Sequence, residues 1–288
     1  MISFSNLYTV DEDRPLDPAT LHILSVVNRV ATELKLAYIL VGATARDLLL
    51  YHVFGFHVSR ATADVDFAFM VDSWETFRKL KAALVTSGYF QDSRVEHRVS
   101  LRTPSGTESI PVDLIPFGKL AEAGALRWPP AGETVMTIHG FEDALAAAIQ
   151  VRVNEDLIIP VASLAGIAVL KLFAWHDRQT SGKDAIDLYH LLTTYADAGN
   201  EDRLYDQQPE FLERVNHDVE LAGAALLASD VRQLCNPGTL QKLRELLAMP
   251  QLVDRLAEQI RLVRWSLRPE MHPRVLLVLH SFIDELMR

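Results

Sequence analysis

Apolar residues at Leu21, Leu24, Val27, Val30 and Leu34 recur at helical spacing, so residues 19–36 are predicted to bury one helical face after a polar lead-in ending at Pro18. "AYILVG" is then a short apolar run read as a buried strand, and "ATARDLLLYHVF" returns to helical spacing. Gly42 therefore stands where a strand hands over to a helix. Residues 65–71, "VDFAFMV", predict a second strand. "DSWETFRKLKAALVTSG" predicts a helix with Asp72 or Ser73 as N-cap, Glu75 in its first turn and Gly88 as C-cap. "RVEHRVSLRT" and "ESIPVDLIPF", joined by the turn-rich "PSGT", predict an antiparallel hairpin.

From about residue 136 the pattern changes. "TIHGFEDALAAAIQVRVNEDLIIPVAS" predicts a short helix and a small hairpin, followed by helices over 161–178, 183–196 and several more from 208 to 288. The expectation is an α+β chain in which residues 1–135 form an α/β core, a small mixed sheet flanked by helices, and residues 136–288 form a mostly helical C-terminal domain.

Composition narrows this picture. With 288 residues, 49% hydrophobic and 23% charged, and no low-complexity tract, the chain reads as globular rather than disordered. A net charge of -10 argues against a basic coat for non-specific nucleic-acid binding, while leaving room for a local basic groove. The single cysteine, Cys235, excludes an intrachain disulfide and a cysteine zinc site, in keeping with a reducing compartment. "MISFSNLYTVDEDRPLDP" has neither the basic start nor the apolar core of a secretory signal. The longest apolar stretch, 158–170, is broken by Pro160 and stops at Lys171, short of the ~20 residues that cross a bilayer. The expectation is a cytoplasmic protein with no membrane partner.

The candidate chemistry begins with "ATADVDFAFM". On a strand, residues two apart share a face, so Asp64 and Asp66 aim two carboxylates at one point, where a positive partner is needed. Arg46 or Arg60 could supply it. Asp113, however, interrupts the apolar alternation of "IPVDLIPF" on a later strand, and sheet pairing could place it beside the first two, unless Arg102 or a backbone amide satisfies it. Three converging carboxylates make an oxygen-rich site suited to Mg²⁺, and two such ions could hold a nucleoside triphosphate (NTP) and activate an attacking hydroxyl. At the turn "VGATARDLLL", Gly42 lets backbone approach closely, helix-start amides can receive phosphate, and Thr44 adds a hydroxyl.

Lys171 interrupts a helix that is apolar on several sides, so its ammonium must either reach a cleft, such as one holding a triphosphate, or snorkel to the surface. Lys183 and Asp187, four apart, fit a surface pair, whereas Asp184 and Asp187, three apart, share a face that can hold a lysine or a base edge. Arg94, Arg98 and Arg102 share one face of a predicted strand, either as a solvated edge or as a basic strip for RNA. His52, His57, His97, His139 and His176 lack metal spacing and read as structural or surface residues. Trp74 and Trp175 read as core, with Trp175 also a candidate neighbour of a base.

Gly42 at a strand end, "TADVDFA" about 20 residues on and "PVDLIPF" on a later strand together resemble the polymerase-β-type nucleotidyltransferase fold, and the first segment is also similar to tRNA-CCA-adding enzymes. "VLKLFAWHDRQTSGKDAIDLYHLL", residues 169–192, resembles the lysine-rich helix pair of AbiEii-type nucleotidyltransferases, the toxins of type IV toxin–antitoxin and abortive-infection systems. The resemblance spans residues 38–195. It implies Asp64, Asp66 and Asp113 as catalytic metal ligands, Gly42 and Ala43 as the phosphate turn, Lys171 as a catalytic contact to phosphates, and Lys183 and Asp184 nearby in a nucleotide cleft that the helical domain completes. These families usually show Gly-Gly or Gly-Ser at the turn. Ala43 has no hydroxyl, so that task falls to Thr44 or to amides.

The function implied is Mg²⁺-dependent transfer of a nucleoside monophosphate from an NTP to an acceptor hydroxyl. The toxin resemblance adds the 3′ end of a tRNA as acceptor and a cognate antitoxin as partner. Small-molecule or protein nucleotidylation is the enzymatic alternative. A catalytically inactive nucleotide-binding or antitoxin-like protein is the non-enzymatic one.

Overall fold

Strands that read as unbroken apolar runs lie at the centre of the sheet, and the site residues enter at their ends. The structure, a computed structural model, describes residues 7–57, 64–102, 109–121, 124–128, 135–178, 182–263 and 272–288. The chain forms two compact units, Met1–Ser163 and Leu164–Arg288. The first begins with β1 (Leu7–Thr9), α1 (Pro18–Glu33), β2 (Tyr38–Val41), α2 (Gly42–Asp47), β3 (Val65–Met70) and α3 (Trp74–Thr86). It continues with β4 (Phe90–Asp92), β5 (Arg98–Arg102), β6 (Ser109–Phe117), β7 (Ala125–Arg127), β8 (Val135–Thr137), α4 (Phe141–Ala146), β9 (Ile149–Asn154) and β10 (Leu157–Val161).

Eight strands form one mixed sheet in the order β1-β9-β10-β2-β3-β6-β5-β4, and β7 and β8 pair separately. All of β2 is buried, as are Phe67, Ala68 and Phe69 of β3. Strands covered on both faces lose the polar alternation of a one-sided sheet, which is why these segments read as continuous apolar runs. The expected hairpin is present: β5 and β6 pair antiparallel from Arg98↔Asp113 to Arg102↔Ser109. Its turn, "PSGT", and the candidate counter-ion Arg60 lie outside the described residues.

The sheet extends beyond the strands that the apolar pattern predicts. β1 sits in the supposed lead-in, parallel to β9. The later hairpin, β9–β10, joins through Val161↔Leu40, so residues 149–161 belong with the sheet. β1 and β4 have three residues each, too few to show a period.

Local signals explain the helices. The Asp17 carboxylate accepts from the amides of Ala19 and Thr20, and Pro18 opens α1, where its missing N–H costs nothing. Of the two N-cap candidates for α3, Ser73 accepts from the Thr76 amide, while Asp72 accepts from the Thr76 hydroxyl. Gly88 takes a φ of +85° just after α3, as a C-terminal stop requires. α2 runs on into a π-helical stretch, Leu48–Val53.

The second unit contains α5 (Leu164–Asp177), α6 (Lys183–Thr194), α7 (Glu210–Arg214), α8 (Val219–Leu234), α9 (Pro237–Leu247), α10 (Pro250–Val263) and α11 (His272–Met287). Trp175 is 1% exposed and its indole donates to Gln259 Oε1 at 2.7 Å, so it is core. Buried polar networks tie distant helices together. Asp230 accepts from Tyr195 and from both terminal nitrogens of Arg203, and Glu285 accepts from Arg214 and Arg232. Among the described residues, no helix is long and apolar enough to cross a membrane.

Candidate active site

Register places four residues in a row at one end of the sheet. Val41, the last residue of β2, pairs with Asp66 of β3; Asp66 pairs with Asp113 of β6; and Asp113 pairs with Arg98, the first residue of β5. Ladder partners project to the same face, and Asp64, just ahead of β3, joins them by the two-residue alternation of extended chain. One carboxylate oxygen each from Asp64, Asp66 and Asp113 lies within 4.8 Å of the others, and the three residues are half-buried. Two like charges this close repel by roughly 3 kcal/mol at an effective dielectric near 20. A cation offsets that repulsion. The donor set is oxygen only and accessible enough to leave positions for water or phosphate, so it fits a hard divalent ion.

The turn before α2 is shaped around Asp66. Gly42 has φ +71°, a region costly for residues with a side chain, and a Cβ there would stand 2.0 Å from Asp66 Oδ2. Glycine is thus required twice over. Ala43 and Thr44 are buried, and the Thr44 hydroxyl donates to the Asp64 carbonyl at 3.0 Å. The start of α2 therefore touches both early acids, one through space left empty and one through a hydrogen bond. Arg46 binds Asp47.

Asp113 does have an arginine, but not Arg102. Arg98 Nε donates to Asp113 Oδ1 at 2.6 Å, and Nη2 to Oδ2 at 2.8 Å. The Asp113 hydrogen bonds, with Asp64 and Asp66 adding attraction, hold the guanidinium more firmly protonated than usual. Arg94, Arg98 and Arg102 do not share one strand face, either as a solvated edge or as a basic strip. β5 starts only at Arg98, leaving Arg94 in the preceding bend, and Arg98 turns in to Asp113 while Arg102 is exposed at the strand's other end. Next to Arg98, burial pushes the His97 imidazole below its ordinary range despite Asp113, and its ring packs on Trp128, with centroids 5.1 Å apart. Trp74 and Phe77 complete that aromatic cluster.

A cavity of about 610 Å³ opens beside the same sheet end, lined by Asp17, Thr20, Thr44, Asp47, His52, Asp64 and Ser109 among others. The described lining residues include three aspartates and neither lysine nor arginine.

In the helical unit, Lys171 is 8% exposed and neither snorkels nor stands open. Its ammonium lies 3.0 Å from Asp184 Oδ1 and 2.6 Å from Asp187 Oδ2, and Arg178 Nη2 reaches Asp184 Oδ2 at 3.0 Å. The shared face of Asp184 and Asp187 thus holds a lysine, as its spacing allowed. Asp187 consequently serves Lys171, and Lys183 is exposed at the start of α6.

A glycine turn under one aspartate, with carboxylates of adjacent strands converging on it, is the layout of a nucleotidyltransferase. The family model of the nucleotidyl transferase AbiEii toxin of type IV toxin–antitoxin systems matches residues 25–261, and the chain belongs to that family. It is a nucleotidyltransferase, an enzyme that uses a nucleoside triphosphate. A search of curated proteins finds no match. Among solved structures, the chain is similar to an antigenic nucleotidyltransferase-like protein from Paracoccidioides brasiliensis, at 18% identity over 70% of this chain and 95% of that one, with a TM-score of 0.43. It is also similar to the antibiotic-resistance factor ANT(2'')-Ia, at 15% identity over 70% and 99% of the two chains, with a TM-score of 0.37. A CCA-adding enzyme from Thermotoga maritima complexed with tRNA aligns at 12% identity over 96% and 82%, with a TM-score of 0.25.

Proposed function

We propose that this enzyme transfers a nucleoside monophosphate from an NTP to an acceptor hydroxyl, with Asp64, Asp66 and Asp113 as the ligands of Mg²⁺. The observation that carries this reading is the convergence of the three carboxylates within 4.8 Å around a turn where only glycine fits. Bound there, Mg²⁺ would supply charge neutralisation on the phosphates and lower the pKa of the acceptor hydroxyl. Asp113 accepts the hydroxyl proton through a lone pair that the Arg98 fork leaves open. The acceptor oxygen bonds to the α-phosphorus, the bond from that phosphorus to the bridging oxygen breaks, and pyrophosphate leaves. The amides of the Gly42–Ala43 turn receive phosphate oxygens, and Thr44 holds the Asp64 backbone in place.

The reading includes Lys171, Lys183 and Asp184 as nucleotide contacts, supported by the family resemblance. With its ammonium held by Asp184 and Asp187, Lys171 would meet a phosphate only by exchanging one of those carboxylates for it. Lys183 is exposed and has no such exchange to make.

Membership of a type IV toxin family supports a toxin role with a cognate antitoxin, and the resemblance supports a tRNA 3′ end as acceptor. One observation favours a second acceptor. Among the described residues lining the 610 Å³ cavity beside Asp64 there are three aspartates and no lysine or arginine, which suits a small cationic alcohol better than a polyanion. Transfer of label from an α-³²P NTP to total tRNA, to protein extract and to amine-bearing small alcohols, each with Mg²⁺ and with chelator, separates the readings. Label on tRNA that is lost with chelator is the expected result. Label on the small alcohol alone selects the second reading, and transfer unaffected by chelator overturns both.

A further inference from the structure

Arg98 takes no direct part in the proton or phosphoryl transfer, yet it holds both oxygens of one of the three acids. Backbone hydrogen bonds anchor it. Its amide donates to the Val95 carbonyl at 3.0 Å, and the neighbouring His97 carbonyl accepts from Leu114 at 2.7 Å, which locks the start of β5 against β6. From there the guanidinium fork meets Asp113 at 2.6 and 2.8 Å, with the Asp113 side chain 13% exposed and that of Arg98 31%. Attraction from Asp64 and Asp66 also reaches Arg98, so all three acids act on its charge.

A carboxylate offers about four lone-pair positions, and a two-point fork uses one on each oxygen. The remaining positions face away from the fork, with the carboxylate plane fixed. A positive charge on the far side of the same carboxylate opposes an entering cation, while the fork keeps the oxygens aimed.

We propose that Arg98 is a positioning residue of the metal-binding acids with two separable effects: its fork aims Asp113 for turnover, and its charge restrains the affinity of the acids for a free divalent cation. The proposal rests on the reading of Asp64, Asp66 and Asp113 as metal ligands. The two effects have opposite signs for metal affinity and for catalysis. A residue that only supported the fold would weaken both on removal, and a bystander would change neither.

The test is Mn²⁺ binding to the metal-free full chain, followed by electron paramagnetic resonance of the free ion, alongside steady-state transfer at saturating Mn²⁺. In Arg98→Ala, Mn²⁺ should bind about tenfold more tightly, since a unit charge some 6 Å from a dication is worth that much even at water-like screening. Its kcat should fall at least about tenfold. Arg98→Lys, which keeps the charge and loses the fork, should bind Mn²⁺ within about threefold of the wild type and share the loss of kcat. Arg98→Gln should behave as Arg98→Ala, which covers the case in which alanine fails to fold. Mn²⁺ affinity unchanged or weaker in both neutral variants, or kcat retained in Arg98→Lys, overturns the proposal. If the wild type fails to bind Mn²⁺, or binds it as well after Asp66→Asn, the reading of the acids as ligands fails instead, which is a separate outcome.

Discussion

The two units each gather charged residues, but in opposite ways. At the sheet end, three carboxylates approach one another within 4.8 Å, a like-charge convergence that the Arg98 fork relieves at Asp113. In the helical unit, buried Lys171 meets buried Asp184 and Asp187, and exposed Arg178 reaches Asp184 from outside, an opposite-charge convergence. A cluster that repels itself is kept for what binds to it. A buried cluster that attracts itself holds its helices in register, and any ligand must compete with it.

Breaking each cluster should therefore have opposite consequences for stability. Asp66→Asn should lower nucleotide transfer about a thousandfold, as loss of a group that acts in the transition state does. It should leave the metal-free melting temperature unchanged or raised, because a repelling charge is gone. Asp187→Asn should do the reverse to the fold. Losing the Asp187 charge leaves buried Lys171 to share the single carboxylate of Asp184 with Arg178, and costs about 3 kcal/mol, measured by urea unfolding.

The glycine turn sharpens the contrast, because it links backbone geometry to the acids. Gly42→Ala places a methyl where Asp66 Oδ2 now lies, in a positive-φ conformation. A loss of about 1–3 kcal/mol, with transfer reduced at least about tenfold, is the expected result. Thr44→Val removes the hydroxyl that holds the Asp64 carbonyl. It should cost about 1 kcal/mol of stability and raise the Mg²⁺ concentration needed for half-maximal rate, with little change in the NTP KM at saturating Mg²⁺. A phosphate-binding hydroxyl would instead raise that KM at every Mg²⁺ concentration.

The smallest effect is expected at a pair remote in kind from both clusters. Arg274 hydrogen-bonds Asp218 and holds its carboxyl below the usual value of 3.8. A carboxyl with a depressed folded pKa adds stability above the unfolded pKa and loses it as pH falls. Asp218→Asn, which can still cap α8, should therefore melt slightly below the wild type at pH 7, and the gap should close below about pH 4.

The site was legible where its signals are local. Asp64 and Asp66 are two apart on one strand, Gly42 ends the preceding strand, and Asp184 and Asp187 share a helical face, so each arrangement follows from a single period. Pairing across strands was harder. Ladder partners in β5 and β6 are equidistant from the midpoint of residues 104–107, which makes Arg98 the partner of Asp113, whereas the four-residue spacing of Arg94, Arg98 and Arg102 points only to a shared strand face. The count from the turn was the signal that identifies Arg98. β1 and β4 carry no such signal, since each is three residues long and takes its conformation from its neighbour in the sheet. The Tyr195, Arg203 and Asp230 network joins residues up to 35 positions apart and has no local signature at all.

The central claim is that Asp64, Asp66 and Asp113 hold a divalent cation against the phosphates of an NTP. A crystal of the protein soaked with Mn²⁺ and a non-hydrolysable triphosphate tests it directly. Anomalous density bonded to oxygens of all three aspartates, with the triphosphate beside Gly42, is the predicted result. Density elsewhere, or a triphosphate bound with Asp113 still held only by Arg98, would contradict it.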